Sequence, residues 1–127
     1  MKLLLDTVVF LRGALGRDLS PRALQLLMDV ENERYLSAVS SWEICIKYAK
    51  GRLPLPEIPE LFIPKHRDAL ATEELPLHEE SVLHITRLPQ LHADPFDRIL
   101  ICQAIVHGMV LLTPDPFMSK YPVRTAW

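Results

Sequence analysis

Asp94-Pro95-Phe96-Asp97-Arg98-Ile99-Leu100-Ile101-Cys102-Gln103-Ala104-Ile105-Val106-His107-Gly108, running directly into Met109-Val110-Leu111-Leu112-Thr113, contains a helix and the strand that it feeds. Asp94 offers a side-chain oxygen for an N-cap, and Pro95 has the fixed φ suited to the first helical position. Gly108 accepts the left-handed turn that ends a helix. Between these stops, Ile99, Cys102, Ile105 and Val106 form an apolar face, as on a helix packed against a sheet. Met109 to Thr113 is short and almost wholly apolar, which is the pattern of a strand covered on both faces.

The same alternation extends through the rest of the chain. Lys2 to Leu5 reads as a buried strand ending in Asp6, and Thr7 to Leu15 as a helix stopping near Gly13 and Gly16. Ser20-Pro21 is an N-cap and N1 pair opening a helix whose Leu24, Leu27 and Met28 share a face. Tyr35 to Val39 reads as a second strand, and Ser40 to Lys50 as a helix closed by Gly51. On that helix Trp42, Cys45 and Ala49 are expected to pack. Pro54, Pro56, Pro59 and Pro64 predict a loop or broken helix over Arg52 to Pro64. Lys65 to Ala71 reads as helix, Glu73 to Leu77 as a short edge strand, and Glu79 to Arg87 as a short helix. Val123 to Trp127 would be a last edge strand. The predicted class is α/β: a three-layer α/β/α sandwich with a mostly parallel central sheet, in one domain over residues 1–127.

Composition narrows the field. With 127 residues, 49% hydrophobic and 24% charged, the chain can form a core without disulfide or structural-metal support. Its longest apolar runs, such as Val8 to Leu11, fall far short of the roughly 20 residues a membrane helix needs. Asp6 interrupts the apolar start too early for a signal peptide, so a cytoplasmic location is expected. A net charge of −2, from 14 basic and 16 acidic residues, excludes a globally basic nucleic-acid binder. Cys45 and Cys102 are expected as reduced core cysteines. His66, His78, His84, His92 and His107 show no zinc-hydrolase spacing.

In open parallel sheets, ligands bind beyond the carboxyl ends of the strands. Asp6 ends the first strand, and Glu43 lies in the first turn of the helix after the second. Asp97 opens the long helix, Asp94 sits one turn before it, and Asp115 follows Met109 to Thr113. Each acid also has a purely structural reading. Ser40-Ser41-Trp42-Glu43 fits a capping box, Asp94 an N-cap, and Asp97 a dipole-favoured N3 acid. Asp6 could cap the helix from Thr7, and Asp115 could be a turn residue between Pro114 and Pro116.

Together, converging carboxylates repel one another unless protons or a cation neutralise them. An oxygen-only set with no nearby Cys or His suits Mg²⁺ or Mn²⁺ rather than zinc. An ion so held orients water and stabilises charge developing on a phosphodiester. Lys47 and Lys50 return to the Glu43 face, with Arg52 just beyond and Arg98 beside Asp97. These four could contact a phosphate backbone, such as that of RNA or DNA, or form a solvated face with an i,i+4 ion pair.

The blocks Leu3-Leu4-Leu5-Asp6-Thr7, Ser37-Ala38-Val39-Ser40-Ser41-Trp42-Glu43-Ile44, Asp94 to Ala104 and Leu111-Leu112-Thr113-Pro114-Asp115 occur in this order. In this the chain resembles the PIN-domain nucleases, specifically the VapC-like toxins of type II toxin–antitoxin systems, over nearly its whole length. The resemblance implies an endoribonuclease dependent on Mg²⁺, with Mn²⁺ substituting, and an acidic quartet of Asp6, Glu43, Asp97 and Asp115. Asp6 and Asp97 would be the main metal ligands. Glu43 would help hold the metal and polarise water, and Asp115 would complete the pocket. Asp94 would be structural first and metal-associated second. A homodimer and a cognate antitoxin that covers the pocket are also implied.

Two departures bear on substrate handling: Pro114 stands where many relatives carry a basic residue, and Val8 where a polar one is frequent. The main alternative is a catalytically inactive PIN-like module that binds RNA or an antitoxin. A phosphoacceptor receiver-like domain would need a strand-end acceptor Asp near mid-chain and a later strand-end Lys, and this chain offers Glu43 and no such Lys.

Overall fold

A computed structural model describes residues 1–127. Its centre is β1 (Lys2–Leu5), flanked by β2 (Glu33–Ser37) and β4 (Val110–Leu112). The edges are β3 (Thr72–Leu75) and β5 (Thr125–Ala126), giving the order β3-β2-β1-β4-β5. Every pairing is parallel, so the sheet is wholly rather than mostly parallel. In register, Leu4 lies between Tyr35 on one side and Leu111 on the other.

The apolar strand runs follow from this position. Successive side chains leave a strand on opposite faces, and both faces of β1 are covered. Leu4 enters a core with Leu100, Ile101 and Leu111, whereas Leu5 enters another with Val9, Phe10, Phe62 and Leu112. The first core lies under α6 (Pro95–His107), against which α5 (Glu79–Leu83) packs. The second lies under α1 (Thr7–Leu15), α2 (Pro21–Met28) and α4 (Pro59–Ala69). The last helix, α3 (Ala38–Ala49), sends Val39 into the first core and Ile44 into the second. Burial of each such leucine or phenylalanine contributes about 1.5–3 kcal/mol. The result is the α/β/α sandwich expected from the sequence.

Helix signals were accurate where the cap is local in sequence. Ser20 accepts the N–H of Ala23 at 3.0 Å, and Gly108 stops α6 at φ 64°. The start of α3 differs from expectation. Ser37, not a residue near Ser40, is its N-cap, accepting the N–H of Val39 at 3.0 Å. The Ser37 hydroxyl also donates to buried Gln103 of α6, a tertiary partner with no local trace in the sequence. Further on, α4 begins at Pro59 and continues through Pro64, where a loop or break was expected. Pro59 occupies a first-turn position that needs no N–H. Pro64 forfeits one helical hydrogen bond, offset by burial of Phe62 and Ile63. The Phe62 ring meets Phe10 edge-on, with centroids 6.4 Å apart.

Three packing expectations are corrected. Trp42, Cys45 and Ala49 face outward, Trp42 remaining 59% exposed with one edge against Phe96. The face of α3 that packs carries Val39, Ser40, Glu43 and Ile44 instead. Cys45 is therefore a surface thiol, and Cys102 alone is a core cysteine. On α2, Leu27 is buried while Leu24 and Met28 are exposed. Those two help line an apolar groove of about 520 Å³ with Leu19, Val30 and Leu70. No helix is long and apolar enough to cross a membrane.

Candidate active site

The parallel sheet carries β1, β2 and β4 to the same edge, and their following segments bring the acids together. Asp6 directly follows β1. It stands at the N-cap position of α1, yet its side chain makes no capping bond. The carboxylate turns to Thr113 instead, whose Oγ1 donates to Asp6 Oδ2 at 2.7 Å. Burial pushes the Asp6 carboxyl above its ordinary range; the Thr113 bond opposes this, and nearby Glu43 and Asp115 reinforce it.

Glu43 lies past the first turn of α3, because that helix starts at Ala38. The expected capping box does not form. Thr7 Oγ1 donates to Glu43 Oε1 at 2.8 Å and sits 2.9 Å from Ser40 Oγ. Glu43 Oε2 pairs with Lys47, one turn along the helix. The ion pair read from the i,i+4 spacing is thus present. Its carboxylate is almost completely buried while its ammonium is half exposed.

Asp94 behaves as the N-cap read from the sequence. Its Oδ1 accepts the N–H groups of Phe96 at 2.9 Å and Asp97 at 3.3 Å. Asp97 therefore lies in the first turn of α6, capped through its backbone N–H, and its side chain takes no part in the cap. Its carboxyl is pushed up to about 7, first by burial and then by the charges of Asp94 and Asp6. A bond to His92 opposes the rise, and Glu43 adds to it. Asp115 is both a turn residue and a cleft residue. Its N–H donates to Thr113 Oγ1 at 3.1 Å, and its Oδ1 accepts the N–H of Phe117 at 2.9 Å.

Asp6, Glu43, Asp94, Asp97 and Asp115 all line one cleft of about 420 Å³, with Thr7, Lys47 and Arg52 among its other walls. All five candidate acids are brought together. Of the basic residues, Lys47 and Arg52 line the cleft, whereas Lys50 and Arg98 do not. Lys50 is the exposed C-cap of α3. Arg98 is turned about 100° from Asp97 around α6. Its charge bears on Cys102, one helical turn away, and its Nε and Nη2 are buried without partners.

The sequence reading found no histidine near the acids, and the structure corrects it. His92 Nε2 lies 2.9 Å from Asp97 Oδ2. His92, Asp97 and Asp115 each present a ligand atom within 4.8 Å of the other two. The usable signal was the cap: the chain turns at Asp94 to enter α6, which brings position 92 back over Asp97.

The donor set fits a divalent cation. Hard carboxylate oxygens suit Mg²⁺ or Mn²⁺. Lys47, the cation paired within the cleft, is held by Glu43, leaving Asp6 and Asp97 with raised affinities for a proton. A metal ion bound there would take the place of that proton.

The chain matches the family model described as "PIN domain" over residues 3–123, and it belongs to the PIN-domain family. Among curated proteins it is similar to Ribonuclease VapC16 of Mycobacterium tuberculosis. The two are 36% identical over 59 residues, covering 46% of this chain and 42% of that relative. In fold it is similar to VapBC2 from Rickettsia felis bound to a promoter DNA fragment, at TM-score 0.72 and 14% identity, covering 99% of this chain and 98% of that one. DNA-bound VapBC from Salmonella typhimurium gives TM-score 0.70 at 15% identity, over 99% and 97%. FitAcB from Neisseria gonorrhoeae gives 0.65 at 19%, over 97% and 95%.

Proposed function

We propose that this chain is a Mg²⁺- or Mn²⁺-dependent endoribonuclease, acting in the cytoplasm as the toxin of a type II toxin–antitoxin pair. The observation that carries this reading is the convergence of Asp6, Glu43, Asp97 and Asp115 on one cleft of a PIN fold. Asp6 and Asp97 would be the main metal ligands, with Glu43 and Asp115 completing the set. The ion would supply Lewis acidity toward a phosphodiester and a bound water of lowered pKa.

The chain's own residues prepare this chemistry. Thr113 holds Asp6 in place and Thr7 holds Glu43, so neither carboxylate must be ordered when RNA arrives. Lys47 and Arg52 give the acidic cleft a basic flank for the RNA backbone. Asp94 acts through the helix it caps. The cognate antitoxin would cover the acidic cleft with an amphipathic, Arg-bearing segment and block the metal site. The proposed assembly is a homodimer with that antitoxin bound.

The test is incubation of antitoxin-free protein with structured cellular RNAs in Mg²⁺, Mn²⁺ or EDTA, beside Asp97→Asn checked for folding by circular dichroism. Discrete cuts lost in EDTA and in the variant are expected. Cuts that persist in folded Asp97→Asn would overturn the site assignment. RNA or antitoxin binding with neither cleavage nor metal binding would mark a non-catalytic module.

A further inference from the structure

Four carboxylates already account for the proposed metal chemistry, and His92 is left without a part in it. We propose that His92 is a nitrogen ligand of this cleft, joining Asp97 and Asp115 on one divalent ion and biasing the site toward Mn²⁺ and Co²⁺ over Mg²⁺. The inference rests on the reading of the cleft as a metal site and adds to it a non-acidic ligand and a metal preference.

The geometry fits a shared ion. Two neighbouring ligands of an octahedral ion, each about 2.1 Å from the metal, stand about 3 Å apart. His92 Nε2 and Asp97 Oδ2 are 2.9 Å apart. Opposite ligands on such an ion are about 4.2 Å apart. The ligand atoms of His92, Asp97 and Asp115 all lie within 4.8 Å of one another, so small side-chain rotations suffice to bring the three onto one ion.

The ring is also held in place. His92 stacks edge-on against Phe117, with centroids 5.2 Å apart. Phe117 in turn donates its N–H to Asp115 Oδ1. Phe117 thus contacts both His92 and Asp115, and these two both lie close to Asp97.

Charge favours the assignment. Asp6, Glu43, Asp94, Asp97 and Asp115 already crowd the cleft, so a further carboxylate would add repulsion. A neutral imidazole adds a donor without adding negative charge. It also changes which ion is preferred. Imidazole nitrogen binds first-row transition ions well, and affinity rises from Mn²⁺ to Co²⁺ along the series, whereas Mg²⁺ favours oxygen.

The test uses the full chain at one pH, comparing wild type, His92→Ala, His92→Gln and Asp97→Asn, each checked by circular dichroism. Calorimetry measures Mn²⁺ and Mg²⁺ affinities, and pulsed electron paramagnetic resonance reads nitrogen hyperfine coupling to bound Mn²⁺. Wild type is expected to show directly bound imidazole nitrogen, and both His92 variants to lose it. Mn²⁺ affinity should fall about tenfold or more in His92→Ala, with Mg²⁺ affinity changing less than about threefold. His92→Gln can still hydrogen-bond Asp97 but cannot supply imidazole nitrogen. If it keeps the wild-type preference for Mn²⁺, His92 is a positioning residue for Asp97 and the proposal fails. Nitrogen coupling that survives in both variants, or equal losses for both ions, also overturns it. Failure of wild type to bind either ion would instead remove the metal-site reading itself. Loss of binding in Asp97→Asn with His92→Ala unchanged would sink the inference alone.

Discussion

Thr113 Oγ1 donates to Asp6 Oδ2 across 2.7 Å, although 107 positions separate the two residues in the chain. The contact exists because β1 and β4 are adjacent and parallel, which brings their carboxyl ends side by side. The same hydroxyl accepts the N–H of Asp115 at 3.1 Å. One buried threonine thus sets the positions of two acids.

Replacing Thr113 by Val keeps the branched shape and removes both bonds. The expected loss of stability is about 1–3 kcal/mol, because polar groups with little access to water lose their partners. The Thr113 bond favours ionised Asp6, so its loss raises that carboxyl further. Metal-dependent activity should therefore begin at a higher pH. Urea unfolding and a pH–rate profile check the two effects, and Thr113→Ser should restore both.

Metal-free stability should fall as pH rises. The Asp97 carboxyl goes from an ordinary 3.8 to about 7 in the folded chain. Between those values the native state holds a proton that the unfolded chain has released. This contribution is complete below about 4 and is lost as pH rises through about 7, at no more than about 1.4 kcal/mol per pH unit. Asp6, also raised, adds in the same direction. Denaturation midpoints in EDTA at pH 5 and pH 8 test this. Asp97→Asn should flatten the difference and be the more stable protein at pH 8.

Divalent ions should oppose that trend in wild type alone. Binding to the native state at one hundred times the dissociation constant adds about 2.7 kcal/mol. Thermal melts with Mn²⁺ or Mg²⁺ should show a concentration-dependent rise for wild type and almost none for Asp97→Asn. Equal rises would mean that the ions bind elsewhere.

Lys47→Met separates stability from RNA binding. The Lys47 ammonium is half exposed, so losing its pair with Glu43 should cost less than about 1 kcal/mol. RNA affinity should weaken, and the salt dependence of binding should become shallower by about one contact. Titration of RNA onto wild type and variant at two salt concentrations provides the measurement.

The strands and α6 were legible because their signals are local. Three adjacent leucines cannot lie on a half-exposed strand, and Asp94, Pro95 and Gly108 punctuate a helix within its own sequence. The acids were legible because a parallel sheet sends every strand end to one edge. What escaped depended on partners distant in sequence. Gln103 bonds the hydroxyl of Ser37, the residue that caps α3, and the true start of that helix moves Glu43 out of a capping box into the cleft. Burial of Phe62 and Ile63 accompanies a helix that runs through Pro64. His92 lies in a loop without periodicity, so only the folded turn before Asp94 reveals its neighbour. Trp42 and Cys45 have core-like side chains on an exposed face, where Trp42 meets only the edge of Phe96.

The sheet order has a consequence for the order of events during synthesis. Leu3 pairs with Val110, so β1 emerges early but gains this neighbour only when β4 has been made. Until β4 slots in beside β1, Thr113 and Asp115 have no fixed position near Asp6. A nascent chain carrying Asp6, Glu43 and Asp97 therefore has three of its acids before it has an assembled cleft.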